Sequence, residues 1–146
     1  MVEAMAPFFR KIYTVELSEE LYKRTAYRLH HLKHVEFRQG DSTEVLPKFV
    51  KSLKKPALFW LDGHYSGGVT AQGSCDTPIW AELEAIIESR YSKENAILID
   101  DARCFVSDGE YKDYPTIKAV EEWVHTKLTN HSFDVEDDII KILPHR

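Results

Sequence analysis

Residues 56–61 (PALFWL) and 96–99 (AILI) are apolar from end to end, and each run stops at an aspartate, Asp62 and Asp100. An alternating strand keeps one face wet. An unbroken apolar run leaves no face for water and suits a strand covered on both sides. Such strands belong to parallel sheets packed against helices, so the chain is expected to be an α/β protein in which strands and helices alternate.

The rest of the chain keeps that alternation. Val2, Met5 and Phe9 recur at near-helical spacing and predict a short helix over 2–9, and residues 11–15 (KIYTV) read as a strand. Ser18 is placed to cap a helix whose apolar stripe is Leu21, Thr25, Leu29 and Leu32. A second strand is expected at 34–38 (HVEFR), closed by Gly40, then a helix over 43–53 with Pro47 in or near its first turn. Four of the six glycines lie in a loop over 62–76. Thr77 and Pro78 start a helix with Ile79, Leu83, Ile86 and Ile87 on one side. A further helix is expected over 116–128, followed by two runs, 132–136 and 139–143, joined by Asp137 and Asp138 as an antiparallel hairpin. Residues 1–146 read as a single domain.

With a net charge of -5 and scattered Lys and Arg, no face reads as a nucleic-acid footprint. Neither apolar run is long enough to span a bilayer, and residues 1–10 lack the pattern of a signal peptide. Cys75 and Cys104 lie in no metal-binding pattern and suit reduced thiols. A soluble, cytoplasmic protein with no membrane or nucleic-acid partner is expected.

In doubly wound sheets, ligands bind beyond the carboxyl ends of the strands. Here those ends are acidic: Glu16, then Asp41 with Ser42, then Asp62, then Asp100 and Asp101. If the strands of Asp62 and Asp100 are neighbours, their ends lie about 5 Å apart. Carboxylates that close repel unless protonated or neutralised, and Mg²⁺ takes oxygen ligands of this kind. Arg103 could neutralise them instead, and capping or solvated loop acids are the plainer reading. His64, in LDGHY, could serve as a general base, a metal ligand or a plain loop residue. Glu16 could accept ribose hydroxyls or simply favour the start of the next helix. Asp41 and Ser42 could hold an adenine amine or cap a helix. Phe105, Tyr111, Tyr114 and Trp60 read as core or rim.

The ordered set KIYTV-Glu16, Gly40-Asp41-Ser42, FWL-Asp62-Gly-His64-Tyr and ILI-Asp100-Asp101-Ala-Arg103 resembles the class I S-adenosylmethionine-dependent methyltransferases. It is most similar to the divalent-metal-dependent O-methyltransferases. The resemblance covers nearly the whole chain from Lys11. It implies a three-layer Rossmann-like sheet, mostly parallel, with a C-terminal antiparallel hairpin. It also implies that Glu16 holds the cofactor ribose, that Asp41 and Ser42 meet the adenine, and that Asp62, Asp100 and Asp101 bind Mg²⁺ or another divalent cation. His64 falls where some members have an aspartate base. The implied chemistry is metal-assisted methyl transfer from S-adenosylmethionine to the hydroxyl of a small molecule.

The family's first strand and glycine-rich turn have no counterpart before Lys11. A sheet truncated at its N-terminus is therefore expected, with weak or no binding of S-adenosylmethionine. The strands ending at Glu16 and Asp62 should then pair directly, or another segment or a second copy should cover them. A homodimer joined near Phe8, Phe9 and the helix after Ser18 is expected. Two other readings stay open: a non-catalytic ligand- or protein-binding module on this fold, and a metal-dependent hydrolase using Asp62, His64, Asp100 and Asp101.

Overall fold

A computed structural model describes residues 1–62 and 77–145. The element order is α1 (Val2–Met5), β1 (Ile12–Glu16), α2 (Glu19–Arg28), β2 (Val35–Gln39), α3 (Ser42–Ser52), β3 (Leu58–Leu61), α4 (Ile79–Ile87), β4 (Ala96–Ile99), α5 (Ile117–Lys127), β5 (His131–Glu136) and β6 (Ile139–Pro144). The α/β alternation and the closing hairpin are as the sequence predicts. The first helix is shorter than 2–9: Pro7 has no N–H to continue an α-helix, and the chain passes into a 3₁₀ turn over Ala6–Phe8. Pro47 lies inside α3 rather than in its first turn, because Asp41 caps the helix and starts it at Ser42.

The strands form two sheets. β1 pairs with β2 in parallel, and a second sheet has the order β3-β4-β6-β5. Within it β3 and β4 are parallel, while β6 runs antiparallel to both β4 and β5. Asp137 and Asp138 join β5 to β6 at φ 54° and 65°, the left-handed backbone that a two-residue hairpin turn requires. Direct pairing of β1 with β3 is not what the chain does. The amide of Ile12 donates to His34 and the carbonyl of Glu16 accepts from Gly40, so alternate residues of β1 face β2. Tyr13 and Val15 therefore turn their main-chain groups the other way. On β3, Ala57 and Leu61 face β4 through bonds from Ala96 and Asp100, so Leu58 and Trp60 turn theirs away. Among the described residues no strand pairs with either outward edge.

The core sits on the larger sheet. Phe59, Leu61, Ile97, Ile99, Ile140 and Ile142 are buried on one face and pack with Leu83 and Ile86 of α4 and Val120 and Val124 of α5. The opposite face is less covered: Trp60, Ala96 and Leu98 are half-buried and Leu58 is exposed. The unbroken apolar runs are thus not sealed on both sides, as their composition predicts. The smaller sheet is held more lightly. β1 contains no buried residue and neither does α2. The Tyr13 ring rests on Phe49 of α3 with ring centres 4.4 Å apart, and α3 packs on α4. Amide hydrogen exchange in β1 should read this directly: Tyr13 and Val15 are expected to exchange at least ~10-fold faster than Thr14. Equal protection along the strand would show that the edge is paired.

Candidate functional site

The parallel strands deliver their carboxyl ends to one edge, and each end is fixed locally. Glu16 accepts from the amide of Ser18 through Oε1 at 2.9 Å, and Ser18 caps α2 by accepting from Leu21. Gly40 follows β2 at φ 145°, where a Cβ would also meet Val45 at 3.1 Å, so the turn into α3 requires glycine. Asp41 caps α3, its Oδ1 accepting from the Thr43 amide at 2.8 Å and from the Thr43 hydroxyl at 2.7 Å. Both acids therefore do the capping work read as their plainer role, and each does it through one oxygen.

The register sets Leu61 opposite Ile99, so Asp62 and Asp100 follow at the ends of paired strands. Asp101 does not join them as a third ligand. It takes the left-handed backbone, φ 56° and ψ 49°, and its carboxylate lies 2.7 Å from the Arg103 guanidinium. Arg103 also pairs with Asp138 in the β5–β6 turn, whose side chain accepts from the Arg103 amide at 2.8 Å. Asp100 spends an oxygen on the amide of Asp101 at 2.9 Å. Among the described residues there is no group of three His, Cys, Asp or Glu that could hold a metal ion. The expected trio of Asp62, Asp100 and Asp101 is not assembled, and Arg103 supplies the positive charge at Asp101. His64 and Cys75 lie outside the described residues.

The residue that sequence reasoning missed is Glu82. It falls on the apolar face of α4, three residues after Ile79 and four before Ile86, and at 4% exposed it is the one buried acid among the described residues. It lines a small cavity at the strand ends with Leu61, Ile99, Asp100, Phe105 and Tyr114. Burial pushes its carboxyl pKa up, a hydrogen bond from Ser42 opposes the shift, and the charge of Asp41 adds to it. Phe105 and Tyr114 are buried and meet edge-to-face at 5.5 Å, which makes them wall rather than platform.

No protein-family model matches the chain, and no curated protein matches it. Among solved structures, a candidate methyltransferase from Streptococcus mutans, in complex with S-adenosylhomocysteine, is similar in fold. The TM-score is 0.56 at 16% identity, over 95% of this chain and 80% of that one. The likeness is one of fold. No described helix is long and apolar enough to cross a membrane.

The buried acid sets a pH dependence. Glu82 has a higher proton affinity folded than unfolded, so the folded state binds more protons above the ordinary carboxylate range. Its contribution to stability is therefore lost as pH rises from about 4.5 through the raised folded pKa. Urea unfolding of wild type and Glu82→Gln across this window should show the wild type losing stability relative to the variant. A constant difference between the two curves would mean that the carboxyl does not titrate as described.

Proposed function

We propose that this chain binds S-adenosylmethionine at the ends of β1 and β2 and is built for methyl transfer to a hydroxyl held near the ends of β3 and β4. The observation that carries this reading is the placement of two carboxylates, Glu16 and Asp41, at adjoining ends of paired parallel strands. The similar fold of a protein crystallised with S-adenosylhomocysteine supports it. The adenosine half suits the donor set. Glu16 uses Oε1 on Ser18 and Asp41 uses Oδ1 on Thr43, so each has a second oxygen placed to accept from a ribose hydroxyl or an adenine amine. When bound, the cofactor supplies an electrophilic methyl group on a sulfonium. Asp62 or Asp100, at the other side of the cleft, would take the proton of the attacking hydroxyl, the role that the sequence also offers for His64. A divalent cation does not suit the described residues, because Asp101 is engaged by Arg103, and no step here uses one.

Isothermal titration with S-adenosylhomocysteine tests the reading. Weak binding is expected, and Glu16→Ala should weaken it about 10- to 100-fold, the worth of a hydrogen bond to a charged group. No heat from wild type at millimolar ligand would remove the proposal. The homodimer is part of the same proposal, supported by the outward edge of β1 and by Phe8, which is 78% exposed. Light scattering should give a dimer mass, and a monomer at tens of micromolar would count against it.

A further inference from the structure

We propose that the cavity at the ends of β3 and β4 is a binding site for a primary ammonium group, with Glu82 as its anion. Joined to the methyl-transfer reading above, on which this step rests, the site makes the acceptor an amino alcohol. Its ammonium meets Glu82, and its hydroxyl lies by Asp62 or Asp100.

The cavity opens beyond the carboxyl ends of two parallel strands: Leu61 and Ile99 are the last residues of β3 and β4, and Asp100 follows. Glu82 reaches it from the buried face of α4 and is 4% exposed. The buried rings of Phe105 and Tyr114 line it too. Two carboxyls thus share one small, mostly apolar space. The ion pairs among the described residues are made elsewhere, and none includes Glu82 or Asp100. Asp100 spends one oxygen on the amide of Asp101 and has a second to offer.

A carboxyl buried without a cation is costly. Ile79, Leu83 and Ile86 on the same face of α4 show that the surroundings accept an aliphatic side chain, which would fill the place without that cost. What the acid adds is attraction for positive charge, and a cation entering the cavity restores the ionised form that burial disfavours. Size narrows the ligand. The cavity holds about 10 Å³, room for a single water-sized group. The head of a primary ammonium is of that size and carries three N–H donors for the carboxyl oxygens. A quaternary ammonium is larger and has no N–H to give.

Melting curves in methylammonium, tetramethylammonium and sodium chlorides at equal concentration test the site. Methylammonium alone should raise the wild-type melting temperature saturably, by about 4 °C at roughly ten times its dissociation constant. Glu82→Gln, which keeps the shape and removes the charge, should weaken that response at least ~10-fold. Equal shifts with all three salts would mark a general ionic effect and overturn the proposal, and so would a wild-type response in Glu82→Gln. Should Glu82→Gln lose its cooperative melt, the amide resonances of Ile99 and Phe105 in wild type decide. Movement with methylammonium but not with sodium supports the site, and no movement overturns it. S-adenosylhomocysteine carries a primary ammonium of its own, so the titration is repeated in protein saturated with it. A retained methylammonium response gives the cavity to the acceptor, and a lost one overturns that assignment. Failure of wild type to bind S-adenosylhomocysteine would remove the methyl-transfer reading alone, while the methylammonium response would still decide the site.

Discussion

The strand ends stay where they are because β4 is held in the middle of its sheet. It pairs with β3 on one side and β6 on the other, with Ile97 opposite Ile142 and Ile99 opposite Ile140. All four isoleucines are essentially fully buried, and burial of one such side chain contributes about 1.5–3 kcal/mol. Asn95, just ahead of β4, pins the other end: its side chain accepts from the amide of Ala57 at 3.0 Å and its carbonyl meets the His131 ring at 2.9 Å. One buried residue thus ties the starts of β3, β4 and β5. A slip by one residue would turn the isoleucines to the open face and carry Asp100 away from Asp62.

Nothing comparable anchors β1 and β2, where Val35 is the one buried residue. The two carboxylates assigned to the adenosine half therefore ride on the lightly held sheet, while Asp62 and Asp100 ride on the rigid one. Local opening draws on the least packed elements first, so β1 and α2 are the parts whose population a ligand can shift most. A molecule bridging Glu16 and Asp100 would stabilise the fold by mass action as it bound. The packing of α3 on α4 links these regions among the described residues.

Much of this was legible in the sequence, because it is written locally. Ser18 and Asp41 cap helices as short polar residues before apolar stripes do. Asp137 and Asp138 mark the hairpin turn, and the acids at the strand ends follow from where the apolar runs stop. What was not legible depends on distant partners. Arg103 was legible as a partner for the aspartates, but its second partner, Asp138, brought back by the β5–β6 turn, was not. The division of the sheet is a property of edges, and an edge has no residue code. Glu82 was passed over because an acid reads by default as solvated. Its local signal is its spacing, three residues after Ile79 and four before Ile86, which puts it on the buried face of α4.

The charge balance of the cleft follows from the same packing. Glu16, Asp41, Asp62 and Asp100 bring negative charge to one edge of the fold, and the guanidinium of Arg103 is committed to Asp101 and Asp138. Burial and the charge of Asp41 favour the protonated form of Glu82, which lightens the negative charge it would add to this cluster. The cleft nevertheless stays acidic, and an acidic, partly enclosed cleft favours a cation over a neutral molecule of the same shape. On the reading proposed above, that preference separates the two forms of the cofactor: the sulfonium carries a positive charge into the reaction and the thioether leaves without it. The field that attracts the donor therefore gives no help in retaining the spent product, and the same carboxylates would serve both binding and release.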